Sequence, residues 1–181
     1  MKSKLFPLFL ALALAVVPAL RATELEDNTT AYLKLANGII AQAVVGKLDV
    51  AAVHKDTNKM IQLAAGFAVL YKAKHPEGAK LMDLMVAKKD ALSSMTLAAI
   101  DEEFEAQAIQ KAHGKDFGFD MTTEENEHFN NPVDCFVHPA TAAILATLWE
   151  KEHKEEYLTR IQAELQEVLG HCRRTVDVIK K

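Results

Sequence analysis

His128, Cys135 and His138 crowd into the stretch EENEHFNNPVDCFVHPAT, and His171 and Cys172 stand side by side further on. Imidazole nitrogen is a borderline ligand and thiolate sulfur a soft one, so these residue types suit a transition metal such as zinc or copper. The sulfur has a competing fate. An even pair of cysteines in an exported chain favours a disulfide, and a bridged sulfur no longer ligates. The candidate site then reduces to His128, His138 and His171, predicted to hold a metal or a polar ligand. A Cys135–Cys172 bridge would gather them at one pole, because His138 lies three residues from Cys135 and His171 adjoins Cys172. Neutral imidazoles are the ligating form, so affinity should fall as pH drops through about 6.5.

Other chemistry has less to stand on. Glu125/His128 and Glu150/His153 have the Glu-x-x-His spacing that puts two ligands on one helix face in di-iron bundles. Such bundles need further glutamates on separate helices, and here one pair borders a loop while the other sits in a charge run. The chain has no G-x-S-x-G, no phosphate-cradling glycine loop and no C-x-x-C-H for covalent haem. Carboxylates are plentiful, which leaves a hydrolase working through them as an alternative with no residue assigned. Lys2, Lys4 and Arg21 take three of the 21 basic residues and residues 1–22 hold no acid, leaving 18 bases against 25 acids, a net −7. A domain of that charge repels phosphate backbones and argues against nucleic acid.

LTRIQ, Leu158 to Gln162, is similar to the L-T-x-x-Q signature of the Spy/CpxP type of periplasmic chaperone, whose members are small, exported and all-helical. The likeness covers five residues; the signature recurs in that family and occurs once here. ELEDNTTAYLKLANGI, Glu24 to Ile39, resembles the first helix of periplasmic b-type cytochrome bundles. That resemblance implies a haem-binding alternative, with Thr29 at the position where such a helix offers methionine to the iron.

The elements that must position these side chains are helices. Lys2 and Lys4 precede an apolar run from Leu5 to Leu20 and small residues up to Ala22. This predicts a signal peptide over 1–22, too short to span a bilayer, with no stable membrane anchor after cleavage. The single domain then covers 23–181. Ala, Leu, Glu, Lys and Gln dominate it, and its prolines are Pro76, Pro132 and Pro139, a composition that favours helix. The first helix is predicted to start after Asp27-Asn28 and to end at Gly46. The second runs from Asp49, with the stripe Val53, Met60, Ile61, Ala64, Phe67, Tyr71, and stops before Pro76. A third stretch covers Glu77 to Ala112, with Ser93-Ser94 as a possible break. HGKDFGFDM reads as a loop. Thr122 and Glu125 form a capping box for a short helix to Phe129, NNPVDCF reads as loop, and Pro139 opens the last segment.

Pro139 to Lys181 as one helix would be about 60 Å long. A bridge between Cys135 and Cys172 needs Cα atoms within about 7 Å, so the chain must double back. EKEHKEE, Glu150 to Glu156, has no apolar side chain to bury and is the predicted turn. It carries His153 away from the histidine pole. The expected protein is an all-α, compact antiparallel bundle with a C-terminal helical hairpin. It is read as a non-catalytic binding or interaction protein of the periplasm or secreted space, with an unidentified protein or small ligand as partner. A metal- or haem-binding protein is the alternative.

Overall fold

The computed structural model describes residues 6–181, with side chains from residue 23 onward. The signal peptide read over 1–22 lies outside the described side chains. The chain is an all-α bundle. Its helices are α1 (Phe6–Val44), α2 (Val50–Lys74), α3 (Ala79–Leu92), α4 (Leu97–Phe104), α5 (Ala106–Phe117), α6 (Asn130–Glu152) and α7 (Glu155–Lys180). Among the described residues no helix is long and apolar enough to cross a membrane.

Four long helices make the frame. α1 packs on α2 and α7, and α6 packs on α2 and α7, closing a ring of four. α3 lies against α2 and α6, and α4 lies against α6. Tyr32, Phe67, Tyr71, Phe129 and Phe136 are fully buried at the centre. α7 shows how an amphipathic sequence takes its place: Leu158, Ile161, Leu165, Val168, Cys172 and Val176 recur at three- and four-residue spacing and all are buried. α6 is the inner helix. Its run Pro139 to Ala146 is buried throughout, mostly as small residues that let neighbours approach.

Local signals set several boundaries. Gly46 adopts φ 67°, a left-handed turn that favours glycine. The Asp49 carboxylate accepts from the Ala52 amide at 3.0 Å and starts α2. The hairpin turn falls inside EKEHKEE, where His153 takes φ 52° at the end of α6 and α7 begins at Glu155.

Four expectations need correction. α1 runs straight through Asp27-Asn28 instead of starting there. The Glu77–Ala112 stretch breaks at Ser93-Ser94, where the sequence offered a break, but also at Glu105, giving three helices, and α5 extends into the glycine-containing segment as far as Phe117. The short helix is a 3₁₀ element, Glu124–Phe129, and Asp120 rather than Thr122 organises its approach by accepting from the Thr122 amide at 2.8 Å. NNPVDCF is helical, and Pro139 sits inside α6.

Pro139 inside a helix removes the amide that should bond the carbonyl four residues back, which is that of Cys135. The Tyr32 hydroxyl of α1 donates to this carbonyl at 2.7 Å. A buried carbonyl left without its helix partner is thus satisfied from another helix. The bond also ties α1 to the part of α6 that carries the candidate site.

Candidate binding site between α6 and α7

Asn131, Asp134 and His138 fall at i, i+3 and i+7 on α6 and share a face. Glu164, Glu167, His171 and Arg174 do the same on α7. The antiparallel hairpin lays the two faces together. His138 Nδ1 meets Glu164 Oε2 at 2.6 Å, and its Nε2 lies 4.0 Å from Glu167 Oε2. His171 Nδ1 lies 3.1 Å from Asp134 Oδ2, 3.0 Å from Asn131 Oδ1 and 3.0 Å from Arg174 Nη2. The guanidinium only donates and Asn131 Oδ1 only accepts, so the tautomer decides whether His171 Nδ1 accepts from Arg174 or donates to Asn131. Arg174 also donates through Nε to Asn131 Oδ1 at 2.7 Å. The His138 and His171 rings stack, with centroids 5.3 Å apart and planes 25° apart.

Asp134, His138 and His171 each offer a ligand atom within 4.8 Å of the others. Their side chains keep 25%, 14% and 20% of their exposure, buried enough to feel one another and open enough to be reached. Two clefts lead in. One of about 480 Å³ is bounded by Phe104, Val133, Val137, His138 and Glu164. The other, of about 670 Å³, is bounded by Glu124, Glu127, His128, His171 and Arg174. Asp134 lines both.

Burial shapes the proton affinities. It lifts the Asp134 carboxyl to about 6, against the opposing pull of His138 and Arg174. It lowers His171 to about 4, helped by the positive charges of His138 and Arg174. For His138 burial also acts downward, but the Glu164 hydrogen bond and the charges of Asp134, Glu164 and Glu167 outweigh it and raise the imidazole above its ordinary value. The metal-free seam therefore draws a proton toward His138, held by carboxylates, and away from His171.

The structure brings His138 and His171 together and places His128 apart from them. The His128 ring packs on Phe129 at 4.1 Å and faces His75 at 5.6 Å, though it lines the same cleft as His171. His153 stands at the hairpin turn, edge-on to Trp149 at 5.5 Å. Neither Glu-x-x-His pair forms a joint site: His128 turns Nδ1 to the Glu125 backbone carbonyl at 3.1 Å, and His153 leaves the helix.

The predicted disulfide is absent. Cys135 and Cys172 are both free and both buried. They are neighbours nonetheless, since Cys172 acts on Cys135 through a side-chain hydrogen bond, and Thr175 Oγ1 lies 3.8 Å from the Cys135 sulfur. Burial first, then the Cys172 contact, pushes the Cys135 thiol well above its ordinary range. That suppresses the thiolate on which disulfide exchange and metal ligation both depend. The oxidising-compartment argument supplied a motive for bonding but took no account of this apolar setting.

Sequence reading missed Asp134, Glu164 and Arg174. Asp134 precedes His138 by four residues, the spacing of one helix face, but that signal is visible only if NNPVDCF is read as helix. Comparison of the chain with protein-family models, curated proteins and solved structures finds no match. The fold and the seam together define an all-α bundle with a carboxylate–imidazole cluster between two antiparallel helices.

Proposed function

We propose that this chain is an exported, non-catalytic binding protein that takes its ligand at the seam between α6 and α7. One observation carries the reading: Asp134, His138 and His171 converge within 4.8 Å at the junction of two clefts. A bundle needs no such group for its core, and holding part-buried charge together costs stability. Export rests on Lys2, Lys4 and the apolar run from Leu5 to Leu20. Haem is a poorer fit than a small ligand. The two imidazoles stack nearly in parallel and do not face each other across the space of a porphyrin.

Carboxylate-based hydrolysis draws on one observation, the Asp134 carboxyl raised to about 6, a value suited to proton transfer. Binding ranks above it because the hydrogen-bond partners of His138 and His171 are Glu164, Asn131 and Arg174: no hydroxyl or thiol is among them, and the one carboxylate, Glu164, is held by His138.

The test is thermal unfolding of the metal-free protein with four separate probes: zinc chloride, magnesium chloride, sodium phosphate and spermidine. A ligand present at one hundred times its Kd stabilises by about 2.7 kcal/mol, worth roughly 5–10 °C for a domain of this size. At least one probe should give such a shift in the wild type and much less in Asp134→Asn. Equal shifts in both proteins, or none with any probe, would remove the seam as the binding site.

A further inference from the structure

We infer that Asp134, His138 and His171 form a mononuclear site for a divalent first-row transition metal of the zinc class, with Glu164 as the group that orients His138. The inference rests on the seam being a binding site and names its ligand.

Distances carry the first part of the argument. Zinc bonds to imidazole nitrogen and carboxylate oxygen run about 2.0–2.1 Å, so the edges of a tetrahedral site are roughly 3.3 Å. His171 Nδ1 and Asp134 Oδ2 already stand 3.1 Å apart, and all three ligand atoms lie within 4.8 Å of one another. Small rotamer adjustments close the set. The donor types are two imidazoles and one carboxylate. Hard cations such as Mg²⁺ and Ca²⁺ prefer all-oxygen shells, whereas borderline divalent ions take this mixture.

Glu164 carries the second part. Ligating histidines commonly donate their other ring N–H to a carboxylate, which fixes the tautomer and the ring direction. Glu164 Oε2 takes His138 Nδ1 at 2.6 Å and fixes the ring, so Nε2 becomes the ligating nitrogen once it gives up its proton. The carboxylates that draw a proton to His138 make metal binding a proton-releasing step.

Arg174 carries the third. Its Nη2 sits 3.0 Å from His171 Nδ1, the side on which Asp134 also lies. In the metal-free protein the guanidinium supplies positive charge to that corner. A metal bonded there takes over the role, so Arg174 is a competitor and not a ligand. The thiols of Cys135 and Cys172 stay outside the set, buried in the core beneath it. Three protein ligands leave at least one coordination position for water or an exogenous group arriving by either cleft.

The experiment is calorimetric titration of metal-free full chain with Zn²⁺, and separately with Mg²⁺, at pH 7.5. Wild type should bind one Zn²⁺ with micromolar or better affinity and show no comparable heat with Mg²⁺. Asp134→Asn, His138→Ala and His171→Ala should each weaken Zn²⁺ binding by about 100-fold, and Glu164→Gln by roughly 10-fold. His128→Ala should stay within about twofold of wild type, and Arg174→Gln should bind at least as tightly as wild type. Circular dichroism checks each variant's fold. If a ligand variant fails to fold, Glu164→Gln, at a part-exposed side chain, carries the test. Zinc binding unchanged in Glu164→Gln and in the folded ligand variants would overturn the inference, as would a 10-fold loss in Arg174→Gln. If Zn²⁺ fails while phosphate or spermidine stabilises wild type but not Asp134→Asn, the metal is wrong and the seam stands. If no probe binds, both readings fall.

Discussion

Replacing Tyr32 by Phe tests the bond that allows Pro139 to sit inside α6. The substitution removes one hydroxyl and leaves a fully buried ring in place. It also leaves the Cys135 carbonyl with neither the Tyr32 donor nor a backbone amide, since residue 139 is proline. A buried acceptor left unsatisfied costs about 1–3 kcal/mol, so Tyr32→Phe should destabilise by about 2 kcal/mol. In a Pro139→Ala background the restored amide at 139 can bond the Cys135 carbonyl. There the same change should cost about 0.5–1 kcal/mol, giving a coupling of about 1 kcal/mol or more. Urea denaturation of the four proteins in the cycle measures this. With a slope near 2 kcal/mol/M, the single variant should lower the midpoint by roughly 1 M. An equal cost of Tyr32→Phe in both backgrounds would refute the reasoning, because the hydroxyl would then not be standing in for the missing amide.

Further predictions bear on the seam and on the fold. Asp134, raised to about 6, weakens the metal-free fold as pH climbs from about 4 to 6, while His171, lowered to about 4, strengthens it over about 4 to 6.5, so the two slopes largely cancel in wild type. Asp134→Asn keeps only the His171 slope and should lose about 2–3 kcal/mol as pH falls from 6.5 to 4 in denaturant titrations; a flat profile would contradict the assignment. His153→Gly relieves a left-handed backbone at the hairpin turn and should raise stability by about 0.5–1 kcal/mol in thermal unfolding. Gly78→Ala should destabilise by about 1–3 kcal/mol, because a Cβ there would meet the buried Phe129 ring at 2.5 Å. Thiol titration under reducing preparation should find Cys135 and Cys172 unreactive in the native protein and both reactive in denaturant.

Local chemistry made part of this fold legible. The Asp49 cap, the Gly46 turn and the stop before Pro76 are each set by one or two residues and a neighbouring backbone, and they fall where the sequence places them. The hairpin turn falls in EKEHKEE, the stretch with nothing to bury, although the disulfide that required the chain to double back is absent. α6 was not legible at its start. Pro132 read as loop and Pro139 as a helix start, and the group that satisfies the backbone opposite Pro139 lies 103 residues away on α1. No window of sequence contains both partners. Asp134 was lost with the helix, since its relation to His138 exists only on a helical face. The same distance effect explains His128. It sits close to His138 along the chain, but the 3₁₀ element before α6 turns its ring toward His75 and Phe129. The two cysteines came together as expected, while their burial, a property of four packed helices, set their chemistry.

The central claim is that the seam between α6 and α7 holds its ligand through Asp134, His138 and His171. X-ray absorption at the zinc edge of protein loaded with one equivalent of Zn²⁺ tests it most directly. The predicted spectrum has nitrogen and oxygen neighbours at about 2.0–2.1 Å, outer-shell scattering from two imidazoles, and no sulfur. A sulfur shell at about 2.3 Å, or a shell of oxygen alone without imidazole scattering, would contradict it.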